Sequence, residues 1–202
     1  MEQSDPAYAA LHSYTQALAV ALAYRDLLTR LHSERVLGLA QELGEGLGLS
    51  AEQMGLLRIA ASFHDIGKIG TPDRILFKTS ELNAEEWRQM QAHSAIGEEI
   101  IAATLIDGAQ EAARIIRHHH EHYDGQGYPD RLAGEDIPLL ARIISIADSY
   151  DAMAESRSYQ NAKPHGEIMR ILQAESGSKH DPELMRAFAE RIEHSSYKAA
   201  SK

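Results

Sequence analysis

Apolar residues recur at the three- and four-residue spacing of amphipathic helices along almost the whole chain, and no stretch alternates long enough to suggest a strand. Leu11, Tyr14, Leu18, Ala21 and Leu28 form the first stripe, interrupted by Arg25. This stripe predicts helix over residues 7–45 and suits either a dimer seam or a face packed on the domain. Ser50 and Gln53 form a capping-box pair ahead of Leu56, Leu57, Ile59 and Ala60, and Gly70 and Pro72 end that helix. Asn83 with Glu86 caps "AEEWRQMQAHSAIG", followed by "EEIIAATL" and "AQEAARIIRHHHEH" as two more helices. "DGQGYPDRLAGEDIP" reads as a glycine-rich loop. Pro138 stands before "LLARIISIADSYDAMAE", Pro164 opens a further helix, and Asp181-Pro182 reads as N-cap and first position of the last. The expected architecture is an all-α bundle: an N-terminal helical extension over residues 1–25, a body over 26–195 and a frayed tail over 196–202.

Composition narrows the chemistry. The 202 residues are 44% apolar and 25% charged, ordinary for a globular domain, with only three Phe and one Trp, so aliphatic residues must build the core. A formal net charge of -10 argues against a nucleic-acid polymer as ligand, which needs a basic face. Bound cations could still reverse that sign inside a pocket. The absence of cysteine excludes disulfides, thiolate metal sites and Cys nucleophiles. The eight apolar residues Ala17 to Tyr24 are too few to span a membrane, and the opening residues do not read as a secretion signal, so a cytoplasmic setting is expected.

Eleven histidines then stand out, four of them in "RHHHEHYDGQGYPD". "HDIGK" places His64 beside Asp65 at a predicted helix end. One imidazole and one two-oxygen carboxylate in sequence could serve two metals, with the carboxylate bridging. Alone, the pair reads better as a helix-end cap. His32, His93, His119, His120 and Asp148 also lie on predicted helices or helix ends beside apolar neighbours, where unpaired polar groups are costly. The seven together form a set of nitrogen and oxygen donors such as helical bundles use for two-metal centres.

In "HSERV", "HDIGKIGTPDRILFK", "ELNAEEWRQMQAHSAIGEEII", "HHEHYDGQGYP", "LAGEDIPLLARIISIADSYDAM" and "HDPEL", running from Asp26 to Ala189, the sequence resembles the HD-GYP domain, a branch of the HD superfamily of metal-dependent phosphohydrolases. The resemblance implies an HD-type helical bundle and hydrolysis of cyclic di-GMP, with linear pGpG or GMP as the end product, by a hydroxide bridging two metals. It implies His32, His64, Asp65, His93, His119, His120 and Asp148 as metal ligands, with Asp65 bridging. His118 falls outside the family pattern, and His122 stands where Arg is frequent, so it reads as peripheral. Members with a third metal carry Glu four residues before the first ligand histidine. Here that residue is Leu28, so two metals are expected, Fe or Mn foremost, with Ni, Zn or Mg as alternatives.

Lys68 is expected to point its ammonium at a substrate phosphate or leaving oxygen, as a catalytic and substrate-binding residue. Arg157 resembles the phosphate-contacting Arg of a DRPYR-like segment, although Ser156, Ser158 and Gln160 depart from it. Gly125, Gly127, Tyr128 and Pro129 form the GYP loop, with Tyr128 shaping the substrate site and the loop implicated in meeting a GGDEF-domain protein. The competing readings are an HD phosphohydrolase of another cyclic nucleotide and a signalling module with little turnover. A homodimer through the N-terminal helix is a further expectation.

Overall fold

The computed structural model describes residues 20, 24, 27–104, 107–155 and 161–200. The stripe from Leu11 to Ala21, the segment holding Arg157 and the side chain of Leu28 lie outside the described residues. The named helices are α1 (Leu27–Gly46), α2 (Ala51–Phe63), α3 (Asp73–Leu76), α4 (Ala84–Gln91), α5 (His93–Ala102), α6 (Ala109–His118), α7 (Leu139–Ala154), α8 (His165–Ala174) and α9 (Pro182–Ile192). Short 3-10 turns cover Ile66–Gly70 and Gly134–Asp136. Among the described residues there is no strand, only one isolated bridge between Ser176 and His180. None of these helices is long and apolar enough to cross a membrane.

The helix starts follow their caps. Gln53 N–H donates to Ser50 Oγ at 3.2 Å while Ser50 N–H donates to Gln53 Oε1 at 2.9 Å. Asn83 and Glu86 repeat the device at α4, and Asp181 receives the N–H of Glu183 at 2.8 Å at α9. Val36, Leu39, Ala40 and Leu43 give α1 one buried face, with the buried His32 a turn before it. The middle helix is α7: Ile143, Ile144, Ile146, Ala147 and Tyr150 are fully enclosed. It packs on α1, α2, α6, α8 and α9 in one aliphatic core.

Two helix boundaries differ from the sequence reading. "AEEWRQMQAHSAIG" is not one helix ending near Gly97: the break falls at Ala92, and α5 runs through Gly97 to Ala102. His93 and Ser94 side chains take the carbonyls of Met90 and Gln91, at 2.8 and 3.1 Å, and compete with the helical ladder there. Gly97 continues the helix because α5 lies against α6; a Cβ there would sit 2.9 Å from Ile116. Likewise α6 stops at His118, so His119 and His120 leave the helix rather than continue it.

Candidate metal centre

Five separate segments deliver the polar residues to one place. His32 comes from α1, His64 caps α2, Asp65 begins the 3-10 turn, His93 opens α5, His119 and His120 follow α6, and Asp148 lies on α7. His93, His119 and His120 offer ligand atoms within 4.8 Å of one another; so, separately, do His32, His64 and Asp148. Asp65 stands between the two groups. Its Oδ2 is 3.5 Å from His64 Nε2 and its Oδ1 is 3.5 Å from His93 Nε2.

The imidazoles are aimed by their own helices. His64 Nδ1 donates to the carbonyl of Ala61 at 2.8 Å, His93 Nδ1 to Met90 at 2.8 Å and His119 Nδ1 to Ile116 at 2.6 Å. Each bond reaches back three residues into a helix end and leaves Nε2 facing the centre. His32 is aimed differently: Nδ1 lies 2.7 Å from Asp151 Oδ2, and Arg35 grips the same carboxylate, donating to Oδ1 at 2.7 Å and to Oδ2 at 3.0 Å. Its Nε2 meets Asp148 Oδ1 at 2.9 Å.

Burial sets the electrostatics. His119 is driven down to about 3 by burial, and His120 falls well below the ordinary imidazole range for the same reason, with His119 beside it. Burial also lowers His93. These three are therefore neutral at pH 7, the form a metal needs. Burial would raise Asp65, but Lys68 and the surrounding imidazoles outweigh it and hold the carboxylate ionised. Burial would lower His32; its bonds to Asp148 and Asp151 win and raise it to about 9.

The donor set fits a divalent metal. His64 Nε2 is buried with no hydrogen-bond partner. An orphaned imidazole nitrogen inside a core is costly unless something coordinates it. Nitrogen and carboxylate donors without sulfur suit Fe, Mn or Zn.

The other sequence candidates fall around this centre. Lys68 turns onto Asp65, Nζ to Oδ2 at 2.6 Å, with its side chain one-fifth exposed at the rim. Tyr128 stacks at a tilt on His120, ring centroids 4.8 Å apart. Gly125 has φ +79°, which a side chain would strain. Gly127 is required for closeness rather than for a turn: a Cβ there would lie 2.2 Å from the backbone nitrogen of His122. The loop is tied down by Glu121 Oε1, which accepts the N–H of Asp130 at 2.7 Å, and by Arg117, whose Nε donates to Asp130 at 2.6 Å. His118 points away from the centre, its Nε2 2.9 Å from Asp130. His122 is half-buried at the periphery, lowered by burial and by Lys179.

Sequence reasoning missed Asp151. Its three-residue offset from Asp148 in "IADSYDAM" puts both carboxylates on one face of α7, which was the available signal. Asp151→Ala is expected to weaken metal binding about 10-fold to 100-fold by freeing the His32 ring. Calorimetric titration with Mn checks it; unchanged affinity would show that Asp148 alone orients His32.

A family model described as HD domain matches residues 16–184. The chain is 40% identical over 178 residues to a cyclic di-GMP phosphodiesterase of Thermotoga maritima, covering 88% of this chain and 48% of that protein. It is 38% identical over 173 residues to the 3'3'-cGAMP-specific phosphodiesterase 2 of Vibrio cholerae, covering 86% of this chain and 33% of that one. The chain thus spans half or less of the length of these relatives. A solved structure of an HDG"Y"P protein from Bdellovibrio bacteriovorus aligns with TM-score 0.66 at 22% identity, over 81% of this chain and 52% of that one. The chain belongs to the HD domain family and carries within it the HD-GYP sequence pattern.

Proposed function

We propose that the protein is a metal-dependent phosphodiesterase of cyclic di-GMP, releasing linear pGpG and then GMP, with His32, His64 and Asp148 on one divalent ion, His93, His119 and His120 on a second, and Asp65 between them. The observation that carries this reading is the placement of the two Asp65 oxygens, one toward each group, at 3.5 Å from His64 and His93. Bound there, divalent ions would supply Lewis acidity and lower the pKa of water. Fe and Mn head the metals the donors suit.

The chain's own residues supply the rest. Asp65 is kept ionised and in place by Lys68. The Lys68 ammonium sits at the rim, where it can neutralise charge on a phosphoryl oxygen. Tyr128 has its phenol pKa pushed up by burial, so it stays protonated and can donate to an anionic ligand. The buried helix ends around His64, His93 and His119 exclude bulk water and strengthen each of these interactions. Arg157 is proposed to grip substrate phosphate from its own segment. The GYP loop is proposed to meet a GGDEF-domain partner, and the N-terminal segment to pair two copies of the chain.

A second substrate is favoured by one observation: the Vibrio cholerae relative is named for 3'3'-cGAMP. The test is anaerobic loading with Mn or ferrous iron, then chromatography of products from cyclic di-GMP and from 3'3'-cGAMP in parallel. Metal-dependent appearance of pGpG or GMP is expected. Preferential cleavage of 3'3'-cGAMP would reassign the substrate, and cleavage of neither would leave a signalling module.

A further inference from the structure

At the rim of the centre stands an aromatic ring that none of the chemistry above uses. Trp87, the chain's single tryptophan, lies in the middle of α4 and is 47% exposed. No residue of α4 is buried. Polar ties hold that helix instead: the Asn83–Glu86 box at its start, Lys78 Nζ on Glu86 at 2.5 Å and Arg74 on Gln89 at 3.2 Å. The indole leaves about half of its surface open to solvent. It meets Tyr128 edge to face, with centroids 6.3 Å apart and planes at 80°.

Tyr128 in turn lies against His120, and His120 against His119 at 4.0 Å. A row of rings thus leads from one metal group to the surface and ends in Trp87. A large apolar ring left half in water gives up much of its burial energy, unless a ligand covers it. A nucleotide whose phosphate sits between the two groups must carry its base outward past the ribose, and a purine face matches an indole.

We propose that Trp87 is a stacking platform for a purine base of the substrate; the inference rests on the phosphodiesterase reading above. It assigns base recognition to α4, apart from the groups that handle phosphate.

Intrinsic fluorescence reads this directly, because red-edge excitation isolates one indole from eight tyrosines. The probes, added to the metal-loaded full chain, are a non-hydrolysable phosphorothioate analogue of cyclic di-GMP, GMP and inorganic phosphate. The analogue and GMP are expected to quench saturably and phosphate is not. In turnover assays, Trp87→Ala is expected to raise KM about ten-fold while kcat moves less than about three-fold, and Trp87→Phe to bring KM back within about three-fold of wild type. Absent quenching with an unchanged KM, in an enzyme that does cleave cyclic dinucleotides, overturns the proposal and leaves the function intact. A loss confined to kcat overturns it too, since Trp87 would then only prop Tyr128. If no cyclic dinucleotide is cleaved, the functional reading falls, and the GMP titration alone decides Trp87: quenching sustains the platform, no quenching removes it.

Discussion

Asp65→Ala is expected to lower the proposed turnover of cyclic di-GMP by more than about 10³-fold, because it removes the carboxylate that, among the described residues, faces both groups of candidate ligands. Activity alone would not separate metal loss from chemistry, so a second reading is needed. A metal held at about a thousand times its Kd stabilises the folded chain by about 4 kcal/mol. For a domain of this size that is about 8–16 °C in Tm. The wild type should show such a rise on saturation with Mn, and Asp65→Ala should show much less of it. The substitution also removes the bond that Lys68 Nζ donates to Asp65 at 2.6 Å. Asp65→Asn keeps the shape and a hydrogen-bond acceptor, so it separates that structural loss from the loss of charge. A variant that keeps both the Mn-dependent rise and its turnover would show that Asp65 does not join the two groups.

Gly67→Ala is the second large effect, and its cause is steric. A Cβ on Gly67 would lie 1.8 Å from the carbonyl oxygen of His93 and 2.6 Å from the nitrogen of Gly97. Both are backbone atoms, so no side-chain rotation relieves the clash. The Ile66–Gly70 turn must separate from α5, which pulls Asp65 away from His93. Overpacking of this kind costs about 3 kcal/mol, or about 6–12 °C in Tm. A displacement near 1 Å in the centre costs a further ~10²-fold in rate. Gly166→Ala is the control: a Cβ there meets nothing, and α8 should gain about 0.5 kcal/mol from the better helix former. Thermal unfolding of the two variants checks both signs. A Gly67→Ala protein with wild-type Tm would mean that the turn and α5 can part freely.

Much of the fold was legible because caps and stripes carry it. Ser50–Gln53, Asn83–Glu86 and Asp181–Pro182 start helices where the sequence places them, since each cap satisfies orphan backbone donors without help from elsewhere. The seven candidate ligands converge, and their type and motif spacing pointed there. The break at Ala92 was not legible, because it depends on His93 and Ser94 turning back onto α4. The early end of α6 was missed for a related reason: His119 is drawn inward to the centre while Tyr123 and Asp124 pair with Lys179 and Ser178. Asp151 was missed because it acts through His32 rather than as a candidate ligand, and the meeting of Trp87 with Tyr128 joins segments far apart in sequence.

The centre sits inside an apolar bundle, with His32, His64, Asp65, His93 and His119 all buried. Polar groups so placed are a cost that the aliphatic core has to carry whenever the ions are missing. The metal-free chain is then the less stable form, opens more often, and is the better substrate for cellular proteases. On the proposed metal reading, supply of the ion is expected to set how many copies of the protein persist as well as how fast each one works.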